Sequence, residues 1–290
     1  MDSSARRLNI PTPRLGPLAA AGVLAALIAG PGCVEIVGAD IGRYVEREEK
    51  RFPVTGKPEV VLATFDGSIE VRPWDKSEVE VVVEKRGRGK DDVAQIDVHA
   101  DQSGNRVEVT VREPSTHGFH FGVGRSARLI VSLPAASDVS AKSGDGSIDI
   151  ERIDGKLQLR SGDGAIRARD VGGDLDLHTG DGSVVVAGKL TSVRARSGDG
   201  SITVHAAPGS GAEGDWDINT GDGSVTLELP DNFSAELDAH TGDGGIHMQD
   251  ITVSNVTGQI GRNSLRGRLG AGGHTLRVRT GDGSITLRRR

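Results

Sequence analysis

Seven aspartates, each set between two glycines, recur through the second half of the chain at Asp145, Asp163, Asp181, Asp199, Asp222, Asp243 and Asp282. The steps between them are 18, 18, 18, 23, 21 and 39 residues. Carboxylates repeated at one place in a fold are the groups that hold calcium or divide acid and base work, so those chemistries are weighed first. The nonapeptide calcium repeat has another period and another glycine pattern, and it does not fit. Asp145 and Asp149 are a carboxylate pair of the kind that cleaves glycosides, but the next copies carry Arg167, Val185 and Thr203 at the second position. No carboxylate groove is written in the repeat. The reading that fits every copy is a turn: flanking glycines permit positive φ, and the aspartate hydrogen-bonds its own turn backbone. Like charges about 5 Å apart cost roughly 0.8 kcal/mol per neighbouring pair in water, which a turn tolerates.

Three residues before each aspartate stand Lys142, Arg160, His178, Arg196, Asn219, His240 and Arg279. Alternation turns this column to solvent. It either offsets the aspartates and keeps the outer face soluble, or forms a cationic strip for an anionic polymer such as an acidic glycan or an envelope phosphate. Two residues before each aspartate lies a hydroxyl column, Ser143, Ser161, Thr179, Ser197, Thr220, Thr241 and Thr280, which faces inward and suits bonds to turn backbone. No Ser-His-Asp set stands in a nucleophile-elbow context. His117 and His120 flank Gly118-Phe119 and read as a loop tip in preference to a metal site. The sequence assigns no catalytic, metal or cofactor residue.

The elements that carry these columns follow from the apolar residues around each turn. Six and four residues before the aspartate come pairs such as Leu157/Leu159 and Leu175/Leu177, and three and five after it pairs such as Ile166/Ala168 and Val184/Val186. Period two on both sides of the bend means two short strands per repeat, each turning alternate residues to one core. A repeat this short buries its apolar face only by stacking on its neighbours. The expectation is an all-β fold, a parallel β-solenoid of seven to eight short coils. Gly261-Arg262-Asn263-Ser264-Leu265 counts as a degenerate coil between Asp243 and Asp282, and Phe65-Asp66-Gly67-Ser68-Ile69 as an early partial copy. Longer alternating strands from about residue 59 to Pro134, Glu78–Glu84 and Arg106–Val111 among them, form a longer-stranded N-terminal β cap.

Bulk composition agrees. Hydrophobic residues make up 36% of 290, enough for a core, but aromatics only 3% against 42 glycines, so Val, Ile, Leu and Ala must build it. A net charge of −6 argues against a nucleic-acid partner. The N-terminus carries Arg6, Arg7 and Arg14, then the apolar run from Leu15 to Ala29, then Gly30-Pro31-Gly32-Cys33, and reads as an export signal. Cys33 is the only cysteine of the chain, so it has no partner for an internal disulfide. This arrangement resembles a bacterial lipobox, with Gly32 before the cysteine and Gly30 where that motif usually has Leu. The resemblance implies that Cys33 is lipidated and becomes the mature N-terminus; the alternatives are an ordinary cleaved signal or an uncleaved anchor. The organisation is then signal peptide at 1–32, a charge-rich tether at 33–56, the β cap at 57–135 and the solenoid repeats at 136–290.

Coils written LRSGDGAI, LHTGDGSV, ARSGDGSI, INTGDGSV and VRTGDGSI resemble the bacterial "putative adhesin" family with a β-helical or toastrack repeat (DUF4097-like), over about residues 57–290. The family implies no site residues. The expectation is an exported, membrane-anchored envelope protein, periplasmic or surface-facing, that is not an enzyme and binds or scaffolds. Its partners would be the membrane through the lipid, and an anionic glycan, envelope polymer or envelope protein. Envelope-stress sensing is the first alternative, and a polysaccharide-acting β-helix enzyme the second.

Overall fold

The structure, a computed structural model, describes residues 34–40, 43–113, 124–211, 213–256 and 263–290. The segment read as an export signal, Cys33, His117 and His120 lie outside them.

The described chain is all-β, a mostly parallel mixed sheet, with one short helix at Lys90–Ala94. Two ladders run through it, joined at the turns. Strands that precede the turns pair in the order Arg106–Arg112, Glu59–Thr64, Asp138–Ser143, Asp154–Ser161, the ends of Ile166–Thr179 and Val184–Ser197, Trp216–Thr220, Thr275–Thr280 and Ala235–Thr241. All these pairs are parallel. Antiparallel strands close the ladder, Asp97–Ser103 at one end and Ser264–Leu269 at the other. Strands that follow the turns pair as Ser126–Pro134, Ile69–Trp74, Ile148–Glu151, the beginnings of Ile166–Thr179 and Val184–Ser197, Ile202–Ala206, Val225–Leu229, Ile285–Arg289 and Ile246–Gln249. Antiparallel Glu78–Gly87, Arg43–Pro53 and Val34–Asp40 extend this ladder beyond Ser126–Pro134.

In-register pairing turns each sequence column into a core column. Val139, Leu157, Leu175, Val193, Trp216, Leu276 and Leu237 follow one another as direct partners and are all buried. Each buried Val, Leu or Ile contributes about 1.5–3 kcal/mol over its exposed state. Trp216 replaces a Val or Leu here. Its ring meets Phe233 edge-on at 5.0 Å, and its indole N–H donates to the Thr191 carbonyl at 3.3 Å. The post-turn ladder stops at Ile246–Gln249 with no strand laid over it among the described residues, and Met248 is 41% exposed where its column partner Leu287 is fully buried.

Spatial order departs from chain order at both ends. The rung of Asp282 lies between those of Asp222 and Asp243, so the expected succession of coils through Asn263 does not occur. Counted from Asn263, the positions that should be apolar after a turn are Arg266 and Arg268, and no glycine pair permits the bend. Ser264–Leu269 therefore runs straight and antiparallel against Ala235–Thr241, burying Leu265 and Leu269. At the other end Glu59–Thr64 pairs directly with Asp138–Ser143, so residues 57–135 share both ladders with the repeats.

The segment expected as a tether is a strand from residue 43 to 53, paired along its length with Glu78–Gly87. Charge replaces apolar alternation in holding it. Arg47 meets Glu84 at 2.9 Å, Arg51 meets Glu80 at 2.8 Å, and Lys85 lies 3.3 Å from Glu48. Burial pushes the Glu84 carboxyl up, but hydrogen bonds and charge from Arg86 and Arg47 outweigh it and hold the group below the usual carboxylate range. Among the described residues no helix is long and apolar enough to cross a membrane.

Candidate functional site

The turns come first, because they set the register of everything outside them. Each column hydroxyl points inward, donates to a carbonyl of the neighbouring rung and in several rungs accepts from its own turn. Ser161 Oγ donates to Gly146 O at 2.9 Å and accepts from Gly164 N–H at 3.0 Å; Ser197 Oγ repeats this with Gly182 and Gly200 at 2.8 and 3.0 Å. Thr280 bonds Gly223 and Thr241 bonds Gly283, so the hydroxyl ladder follows the spatial order.

Two expectations about these turns are corrected. Positive φ is not what demands glycine: none of the Gly-Asp-Gly glycines has it, and only Gly67 of the early copy does. Glycine is needed because a neighbouring rung lies too close for a side chain. A Cβ at Gly182 would stand 2.2 Å from the Gly164 carbonyl oxygen, and one at Gly200 2.1 Å from that of Gly182. Nor does the aspartate bond its own turn. Asp145, Asp163, Asp181, Asp199, Asp222, Asp243 and Asp282 are exposed, and their carboxylates have no hydrogen-bond or cation partner among the described residues. They follow Asp66 in one column. Burial, then the charge of Asp145, pushes the Asp66 carboxyl above its usual range.

The outward column before the turn is brought together along the ladder. Lys142, Arg160, His178, Arg196, Asn219, Arg279 and His240 are successive register partners. Beside them, two residues upstream, runs Ser140, Gln158, Asp176, Arg194, Asp217, Arg277 and Asp238 in the same register. The arginines pair with this second column and not with the turn aspartates. Arg160 reaches Asp176 at 3.7 Å, Arg196 reaches Asp217 at 3.0 Å, and Arg279 reaches Asp238 at 2.5 Å. Burial raises the Asp238 carboxyl, and Arg279 and Arg266 more than reverse it. Lys142, Arg277, His178 and His240 have no ion-pair partner among the described residues. Across both columns six Lys or Arg side chains face three aspartates, so this face is cationic on an acidic chain.

A third feature has no counterpart in the sequence reading. Arg86, Arg125 and Arg128 converge with Asp66, Gly67, Ser68, Gly124 and Ser126 on one cleft of about 370 Å³. These residues come from a turn and two strands far apart in the chain, and Arg86 meets Ser126 only through antiparallel pairing. No spacing announces them.

The sequence matches the Toastrack DUF4097 family over two overlapping stretches, residues 59–211 and 135–288. A translational repeat lets one family pattern be laid on the ladder at two places. No curated protein matches the chain. Among solved structures it is similar to a "putative cell adhesion protein" from Clostridium sporogenes, with 12% identity, 84% of this chain and 100% of that one covered, and a TM-score of 0.37. A "putative adhesin" from Bacteroides fragilis gives 14% identity, 84% and 97% coverage and a TM-score of 0.35. A "putative lipid binding protein" from Parabacteroides distasonis gives 13% identity, 84% and 96% coverage and a TM-score of 0.36. At these identities and scores the likenesses say nothing about what this chain binds.

Proposed function

From membership of the Toastrack DUF4097 family, to which this chain belongs, we propose that it is a non-catalytic binding or scaffolding module of the bacterial envelope. In this reading the two ladders are the flanks of a solenoid of coils capped by antiparallel strands, exported and held to a membrane through lipid on Cys33. Mass spectrometry of that residue from the membrane fraction tests the anchor; an unmodified Cys33 there removes it from the reading. The observation that carries the proposal is the in-register cationic face from Lys142 to His240, whose side chains recur about every 4.8 Å along a parallel ladder. A flexible anionic polymer meets several cations on such a face at once, and weak contacts then add as avidity.

The test is an array of acidic and neutral envelope glycans and phosphate polymers probed with the folded chain. Anionic polymers are expected to bind, with affinity that falls as salt rises and is indifferent to chelators. Changing Lys142, Arg160 and Arg196 together to Ser should abolish that binding with little loss of stability, since exposed ion pairs are worth about 0–1 kcal/mol each. Retained binding in the triple variant would reduce the strip to a solubilising face.

A further inference from the structure

Arg125 is the most buried of the three cleft arginines, with 9% of its side chain exposed. Its terminal nitrogen Nη2 donates to Asp92 Oδ1 and to Gln95 Oε1, each at 3.1 Å. Its Nε–H is buried and has no acceptor among the described residues. Arg128 repeats the arrangement: Nη2 donates to Glu70 Oε1 at 2.5 Å while its Nε–H is buried and unpaired among the described residues. Arg86 is turned to Glu84 through Nε at 2.8 Å and also through Nη2. The carboxylates thus hold the guanidinium tips, and the two Nε–H donors are left over. A buried charged donor without an acceptor is costly, and two on side chains that line one cleft are outside the ordinary pattern of native interiors.

We propose that this cleft binds a single oxyanion, a carboxylate or phosphate on a small ligand, through the guanidinium groups of Arg125 and Arg128, which turn their spare Nε–H donors to it when it binds. Charge-assisted donors of this kind select oxyanions, and cations are repelled. Ser68 and Ser126 line the same space, and a serine hydroxyl can serve the ligand's remaining polar atoms. Asp66, the single carboxylate among the described residues that line the cleft, opposes an anion least when protonated, and burial and Asp145 shift it that way. The volume of about 370 Å³ suits a small molecule or one terminal unit of a polymer. The site shares no residue with the cationic strip, so either proposal can fail while the other stands.

The experiment follows the arginine Nε–H resonances of the whole folded chain by NMR during titration with inorganic phosphate, glucuronate and glucose. The Arg125 and Arg128 signals are expected to shift saturably with at least one anion and not with glucose. Response to phosphate alone assigns a phosphate ligand, response to glucuronate alone a carboxylate ligand, and both responses support the shared oxyanion site. Arg128→Lys keeps the charge but removes the Nε–H, and should weaken binding about tenfold while circular dichroism stays unchanged. Silence of both resonances with both anions, or equal shifts with glucose, would overturn the proposal.

Discussion

At the turns, a glycine's value lies in what a neighbouring rung places above it, and two glycines of similar backbone freedom behave differently for that reason. Gly182 and Gly211 both lie outside the positive-φ set, yet a Cβ at Gly182 meets the Gly164 carbonyl at 2.2 Å while one at Gly211 meets nothing within 4 Å. Gly182→Ala must push two hydrogen-bonded rungs apart and should cost about 1–3 kcal/mol, read as a lower midpoint in urea. Gly211→Ala should change the midpoint by less than about 0.5 kcal/mol equivalent. A Gly182→Ala protein as stable as the wild type would remove close approach as the reason for the motif. The hydroxyl beside this glycine was legible in the sequence, because its position two before the aspartate fixes its side of the strand. The reason for the glycine was not, since the atom that excludes a side chain belongs to a residue 18 positions away.

Among the elements, the apolar period specified which strands exist and which face they bury, as Leu157/Leu159 and Val184/Val186 illustrate. It did not specify their neighbours. Nothing local distinguishes the edge offered by Trp216–Thr220 to Thr275–Thr280 from the edge it would offer to Ala235–Thr241, since all three carry the same columns. Order is settled by the intervening segment: with arginines at 266 and 268 it lies flat as an edge strand, leaving the terminal repeat to pair inside it. The charged strand at 43–53 was missed for a related reason, because its partners Glu80, Glu84 and Lys85 become visible only once the antiparallel register is known. Paired cysteines test the order directly. In a Cys33→Ser background, cysteines replacing Asn219 and Arg279, which are register partners, should form a disulfide on mild oxidation. Cysteines replacing Asn219 and His240, two rungs apart at about 9.6 Å, should not. Closure of the second pair in preference to the first would restore chain order to the stack.

Along the whole molecule the turn aspartates form a line of eight like charges from Asp66 to Asp243, and Arg160, Arg196 and Arg279, which might have offset them, are engaged one column away. Folding creates this repulsion, because in the unfolded chain consecutive members are separated by long stretches of flexible sequence. At about 5 Å each neighbouring pair costs roughly 0.8 kcal/mol in water before screening, and Asp163, Asp181 and Asp199 between them take part in the pairs running from Asp145 to Asp222. Changing those three to Asn keeps a side chain suited to turns and removes the charge, so the variant should be more stable than the wild type by about 1–3 kcal/mol at low ionic strength. The difference should shrink as salt rises from about 10 mM, where the Debye length is ~30 Å, to about 1 M, where it is ~3 Å. Comparing variant with wild type at each salt cancels the opposite effect of salt on the many surface ion pairs. Urea midpoints at the two salt concentrations decide the matter. A variant less stable than the wild type at low salt would mean that the carboxylates hold the turns by an interaction that amides cannot replace.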